Sequence, residues 1–276
     1  MDKIVKSVLN LPVLSATKFP VGLQSQVEDL IRTIKNQSTE VYTIAIIGAG
    51  GSGKTILAKA IYNELSGSFT GKSFIEDIGQ DSATRWEERL ASDVLKTKIP
   101  SGQIGDRLYG KRLLIVLDDV SDFYELEWKC REWFSGGTVT IITTREELKI
   151  YPVHFVFRIK LMNADESLEL LSWHAFREAK PKEYDNELAK EVAAYCEGLP
   201  LALEVIGSYL YERTKEVWNR VLFALLNIPQ RDVPQILKIS FDGLSNQMEK
   251  DLFLDVCCFF VGKGRAYVTK ILNECK

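Results

Sequence analysis

The stretch Ile44–Tyr62, IAIIGAGGSGKTILAKAIY, constrains the fold more than any other part of the chain. Ile44–Ile47 is a continuous apolar run, the pattern of a strand covered on both faces. Gly48, Gly50, Gly51 and Gly53 then break it. Glycine admits positive φ and puts no Cβ in the way of a closely approaching ligand. From Lys54 onward the apolar positions Leu57, Ala58, Ile61 and Leu65 return at helical spacing. Strand, glycine turn and helix is the context in which GAGGSGKT reads as G-x-x-x-x-G-K-[ST], a phosphate-cradling P-loop. The backbone amides of the turn, Ser52 among them, and the helix N-terminus make an anion hole. Lys54 reaches the terminal phosphates and Thr55 a magnesium ion. Gly48, Gly50 and Gly53 also satisfy the dinucleotide pattern G-x-G-x-x-G, and Lys54-Thr55 decides for the P-loop.

The rest of the chain supplies a sheet around this turn. Apolar strand patterns fall at Val41–Ile47, Ser73–Ile78, Leu113–Asp118, Val139–Thr144 and Phe155–Leu161. Helical patterns separate most of them, including Ile56–Leu65, Trp86–Leu95 and Tyr124–Trp133. Strand–helix alternation of this kind predicts a parallel, covered α/β sheet. After about residue 163 the pattern becomes helical only. Ahead of the sheet, VGLQSQVEDLIRTI predicts an amphipathic helix after a turn at Gly22.

A second cluster of polar residues is expected to face the same crevice. RLLIVLDDV (Arg112–Val120) is an apolar strand ending in two carboxylates, and ligands of parallel α/β sheets bind beyond the C-terminal strand ends. Asp118 is expected to hold magnesium, directly or through water, and Asp119 to orient an attacking water. TVTIITTR (Thr138–Arg145) ends in an arginine, which either forks onto phosphate oxygens or caps a strand end at the surface. In CEGLPLALEVIGSYL, Gly198 closes one helix and Pro200 opens the next. Leu199 and Pro200 offer a rigid apolar surface for a flat ring, or form an ordinary helix corner.

Composition narrows the partners. Net charge is −3 and the basic residues are scattered, so no nucleic-acid patch is evident. Met1–Leu14 is interrupted by Asp2, Lys6, Ser7 and Asn10, which excludes a signal peptide or membrane span there, and Asp2 excludes N-myristoylation. Five unpatterned cysteines (Cys130, Cys196, Cys257, Cys258, Cys275) read as reduced thiols. His154 and His174 have no metal-ligand neighbours in sequence.

Taken in order, FPVGLQSQVEDL, GAGGSGKT, RLLIVLDDV, TVTIITTR, SWHAF, GLPLAL, KISFDGL and FLDVCCFFVG resemble the nucleotide-binding NB-ARC module of plant intracellular immune receptors. That module belongs to the STAND class of P-loop ATPases, and the version here is similar to that of receptors with an N-terminal TIR domain. The resemblance implies a linker over 1–20, a five-stranded P-loop domain over 21–162, a helical domain over 163–230 and a partial winged-helix domain over 231–276. It implies that the Arg145 strand lies between the glycine-loop and carboxylate strands. It makes Arg145 a phosphate sensor, with Pro200 and Val21 as adenine contacts. It implies a cytoplasmic or nuclear switch in defence signalling, closed with ADP and oligomerising with ATP and Mg2+, with slow hydrolysis.

Three departures from the family pattern bear on this. Ile56 stands where the family has a second hydroxyl, so only its backbone amide is expected to reach phosphate. The chain ends at Lys276, ahead of the family's Met-His-Asp motif, and no TIR domain or leucine-rich repeats flank it. The expectation is a fragment or truncated product that binds ADP loosely. Two other functions compete with the switch: an active P-loop ATPase, and an adaptor that binds receptor chains.

Overall fold

The computed structural model describes Leu14, residues 17–36, 41–76, 78, 83–97, 100–120, 132–145, 153–181 and 186–227, with isolated residues between 238 and 271. The chain divides into two compact units, the first reaching Glu166 and including Leu199–Leu201, the second made of Ser167–Gly198 and Ala202–Lys276.

The first unit is built on five parallel strands: β1 (Val41–Ile47), β2 (Gly71–Ile75), β3 (Leu113–Leu117), β4 (Thr138–Thr144) and β5 (Phe155–Arg158). Their order is β2-β3-β4-β1-β5, so β4 lies between β1 and β3 as the family resemblance implies. β1 and β4 pair over their full length, from Val41 opposite Thr138 to Ile47 opposite Thr144. Parallel strands need crossovers, and these place helices on the faces. Helix α1 (Leu23–Lys35) and α2 (Lys54–Leu65) cover one face, where Ile44, Ile46, Leu114, Val116 and Ile141 join Leu30, Leu57 and Ile61 in one core. Helix α3 (Ala83–Leu95) and α4 (Ile104–Leu108) cover the other, where Leu113, Ile115, Leu117 and Ile142 pack with Trp86 and Leu90. Alternate residues of β3 thus enter opposite cores, the two-residue period of a strand buried on both sides.

Several element boundaries differ from the apolar pattern. β2 begins at Gly71, not Ser73, and ends at Ile75, not Ile78. A Cβ on Gly71 would stand 2.8 Å from both Leu113 Cδ2 and Val94 Cγ1, so a larger residue would have to push these methyls aside at a strand position that reads as a breaker. β5 ends at Arg158, not Leu161: the Ile159 N–H still donates to the Ile47 carbonyl at 3.0 Å, but its partner strand β1 stops at Ile47. The Lys160 N–H donates to Gln26 Oε1 at 2.9 Å and Gln26 Nε2 donates to the Lys160 carbonyl at 3.3 Å, which ties α1 to the segment after β5. Helices α2 and α3 begin at Lys54 and Ala83, earlier than Ile56 and Trp86. The expected helix Tyr124–Trp133 lies almost wholly outside the described residues, as do most of residues 231–276.

Helix α5 (Ala164–Ala175) opens with a capping box: the Asn163 N–H donates to Glu166 Oε2 and the Glu166 N–H to Asn163 Oδ1, at 2.9 and 3.0 Å. It leads into the second unit, whose described residues also form α6 (Asn186–Tyr195), α7 (Pro200–Leu210, from Ala202 onward in this unit) and α8 (Lys215–Leu226). Leu171, Val192, Leu203, Ile206, Trp218 and Val221 are buried there. Cys196 is 1% exposed and burial pushes its thiol up to about 12, which makes it an inert core residue. His174 pairs through Nδ1 with Ser208 Oγ at 3.1 Å, while His154, in the first unit, accepts from the Thr43 N–H at 3.0 Å. No helix among the described residues is long and apolar enough to cross a membrane.

Candidate nucleotide-binding site

β1 delivers its chain to the C-terminal edge of the sheet, where the Gly48 N–H donates to the Thr144 carbonyl at 3.3 Å and the turn begins. Gly51 and Gly53 hold φ of 75° and 93°, which L side chains rarely adopt, and Gly53 is the N-cap of α2. At Gly50 an added Cβ would meet nothing within 4 Å, so this is the open rim of the turn. Ser52 is buried, and its hydroxyl has no hydrogen-bond partner among the described residues. A buried unpaired hydroxyl costs about 1–3 kcal/mol, and it is a donor of the kind a phosphate oxygen accepts.

Lys54 and Thr55 follow at the first turn of α2. The Lys54 ammonium folds back across the glycine turn and donates to the Ala49 carbonyl at 2.9 Å, which engages one of its three donors. Burial holds Lys54 below the usual lysine range and the Arg145 guanidinium pushes it further down, while Asp119 and Asp118 pull it back. An anion bound beside Lys54 favours the charged ammonium and so opposes both depressing influences.

Thr55 Oγ1 lies 2.9 and 3.0 Å from the two oxygens of Asp118 and donates to that carboxylate. Asp118 follows β3 directly and is pinned by its own backbone, its N–H donating to the Ile75 carbonyl at 2.8 Å. Its carboxylate also accepts from Thr143 Oγ1, at 2.5 Å to Oδ1. Burial raises the Asp118 carboxyl above the usual range, the hydroxyls of Thr143 and Thr55 oppose that, and the charges of Asp119 and Glu76 reinforce it. A threonine hydroxyl beside a carboxylate is a hard-oxygen donor set of the kind that suits Mg2+, so the residues present fit that ion.

The chain then turns sharply. Asp119 takes φ of 53°, a left-handed conformation that aspartate tolerates better than most residues, and its N–H donates to Thr143 Oγ1 at 3.0 Å. Thr143 therefore touches both acids. The Asp119 carboxylate accepts a two-pronged contact from Arg145, Nε to Oδ1 at 3.2 Å and the terminal nitrogen to Oδ2 at 3.1 Å.

Leu199–Leu201 belongs to the first unit and sits on the glycine turn. The Leu201 N–H donates to the Gly51 carbonyl at 3.2 Å, and a Cβ on Gly51 would stand 2.8 Å from Leu201 Cβ. Pro200 Cγ is 3.8 Å from the position a Gly53 Cβ would occupy. Ile159 Cδ1 would be 3.9 Å from that same Cβ, and Ile159 Cγ2 2.4 Å from a Cβ on Gly48. Val21 opens the turn before α1, its N–H donating to the Phe19 carbonyl at 2.9 Å. Ile56 is half-buried and stands outside the apolar core.

The fold thus gathers Gly48–Thr55, Asp118, Asp119, Arg145 and Pro200 into one region. Thr143, Leu201 and Ile159 belong there too and escape the motif reading. Thr143 has a signal of its own: it is a polar residue near the C-terminal end of β4, where ligands of parallel sheets bind. Leu201 and Ile159 look like ordinary core residues in sequence. A cavity of about 330 Å³ lined by Tyr42, Phe69, Arg112, Gly137 and Val139 lies at the opposite, N-terminal ends of β1 and β4, away from all of these groups.

The sequence of residues 23–180 matches the NB-ARC domain family. The chain is 39% identical over 272 residues to disease resistance protein RPV1 of Vitis rotundifolia, covering 92% of this chain and 19% of the relative. It is 32% identical to TMV resistance protein N of Nicotiana glutinosa, over 92% of this chain and 24% of that protein. The chain therefore spans about a fifth of the length of the curated relatives it matches. A solved STAND protein with a tetratricopeptide repeat sensor, PH0952 of Pyrococcus horikoshii, superposes with a TM-score of 0.52 at 18% identity, covering 88% of this chain and 36% of that one. The likeness establishes the α/β P-loop fold.

Proposed function

We propose, from the premise that this chain belongs to the NB-ARC family, that it is the adenine-nucleotide-binding switch module of a plant immune receptor, binding ADP or ATP with Mg2+ and hydrolysing slowly or not at all. The observation that carries this reading is the meeting of Thr55 and Asp118 at the end of the glycine turn, with Lys54 folded across the same turn. The relatives are disease resistance proteins, which supports a role in defence.

Each group has a role in this reading. The turn amides and the Lys54 ammonium bind the phosphates, the ammonium exchanging the Ala49 carbonyl for phosphate oxygens. Thr55 Oγ1 and Asp118 hold Mg2+, which neutralises charge on the terminal phosphate oxygens. Thr143 keeps Asp118 in place while the Thr55 hydroxyl changes partner. Asp119 orients water, and Arg145 reads the terminal phosphate. Pro200 and Val21 pack against adenine. Ile56 offers only its amide, and the lost side-chain donor weakens binding by about 0.5–1.5 kcal/mol relative to a hydroxyl residue.

The domain division that belongs to this reading is a P-loop domain over 21–162, a helical domain over 163–230 and a winged-helix region over 231–276. Association with other receptor chains belongs to the ATP-bound form. The test is to denature freshly purified protein and identify what it releases, then follow ATP turnover. Co-purified ADP with negligible turnover supports the switch. Sustained turnover identifies an active ATPase instead, and a nucleotide-free protein that binds none on titration identifies an adaptor.

A further inference from the structure

We propose that Asp119 and Arg145 are a mutually guarding pair, each holding the other out of use until a phosphate takes Arg145. This deepens the nucleotide-switch reading and rests on it. Two roles, water orientation and phosphate sensing, are assigned to side chains whose polar atoms bind each other at 3.1 and 3.2 Å. An aspartate whose two oxygens both accept from a guanidinium has its best acceptor positions occupied. An arginine forked onto a carboxylate has spent its bidentate edge.

The backbone shows how the pairing arises. The left-handed turn at Asp119 carries its side chain out of the β3 direction that Asp118 follows, and the Thr143 hydroxyl fixes the Asp119 N–H there. Arg145 follows the last residue of β4, two positions beyond Thr143. One hydroxyl thereby sets the separation of both acids from the arginine.

Exposure decides whether the pair locks or yields. The Arg145 and Asp119 side chains are 65% and 34% exposed. An exposed ion pair is worth roughly 0.2–1 kcal/mol, so a polyanion bound at Lys54 can displace it. A buried pair would not open so readily. The guanidinium holds Asp119, whose neighbour Asp118 accepts from Thr55, the residue after Lys54, so both cations border the same space. Phosphate in that space draws Arg145 away, and Asp119 is then free to accept from water.

A double-mutant cycle tests this, with Asp119→Asn and Arg145→Ala made singly and together. Affinities for ADP and a non-hydrolysable ATP analogue are measured by calorimetry at fixed ionic strength. Guarding predicts that Asp119→Asn tightens binding of the analogue by up to about fivefold when Arg145 is present, the size of an exposed ion pair. It predicts a smaller gain in the Arg145→Ala background, because no arginine remains to be released. Simple charge repulsion by Asp119 predicts the reverse order, since an unpaired carboxylate repels phosphate more. An equal or larger gain without Arg145, or weaker binding in Asp119→Asn, overturns the proposal. Wild-type nucleotide binding in the same titrations keeps this outcome separate from failure of the switch reading.

Discussion

The Thr55 hydroxyl donates to the Asp118 carboxylate, at 2.9 and 3.0 Å from its two oxygens, across 63 positions of sequence. The contact joins the first turn of the P-loop helix to the end of the carboxylate strand. It makes one site of two motifs that the chain keeps far apart.

Asp118→Asn separates stability from function. Burial raises the folded Asp118 carboxyl above its unfolded value. The ionised form therefore costs stability at neutral pH, and the cost shrinks as pH falls towards the folded value. The substituted amide carries no charge to desolvate, so the ligand-free melting temperature should be unchanged or higher than wild type. The extra stabilisation by Mg2+ with ATP over ATP and chelator should disappear. Thermal melts of both proteins under these conditions measure the two effects. A lower ligand-free melting temperature with the Mg2+ effect retained would show that the carboxylate is structural.

Ile56→Thr adds a hydroxyl at the first turn of α2, where Ile56 is half-buried and outside the core. Both residues are β-branched, so the helix should tolerate the change. Calorimetry should find ADP bound up to roughly tenfold tighter, equivalent to about 1.4 kcal/mol. Unchanged or weaker binding would place the Ile56 methyls in a packing role.

Pro200→Ala separates base from phosphate recognition. Pro200 stands within van der Waals reach of the glycine turn in a segment held by the Leu201–Gly51 hydrogen bond. ADP affinity should fall while inorganic pyrophosphate, which has no ring, binds as in wild type. Equal losses for the two ligands would mean that Pro200 acts through the start of α7 rather than through adenine.

Much of this was legible in sequence because it depends on local pattern. The apolar runs Val41–Ile47 and Leu113–Leu117 enter cores on both faces, and they read as buried strands. GAGGSGKT reads as a turn because positive φ at Gly51 and Gly53 demands glycine. What the pattern hides is partnership. That Thr143 serves both acids, and that Asp119 is paired with Arg145, depend on contacts between strands and on a left-handed backbone at a non-glycine residue. No spacing rule announces such a residue. Gly71 misleads for the opposite reason: it looks like a breaker but pairs with Leu113 in the strand, where a Cβ would crowd Leu113 and Val94.

The central claim is that the Gly48–Thr55 turn binds nucleotide phosphates through Lys54, and titration of ADP and ATP into Lys54→Ala tests it most directly. The Lys54 ammonium is buried, sits 2.9 Å from the Ala49 carbonyl and has no carboxylate hydrogen-bonded to it among the described residues. Its loss removes a charge-assisted donor to phosphate worth about 1.5–3 kcal/mol. Affinity for both nucleotides should fall at least tenfold or vanish, with the fold intact by circular dichroism. Wild-type affinity in a folded Lys54→Ala protein would contradict it.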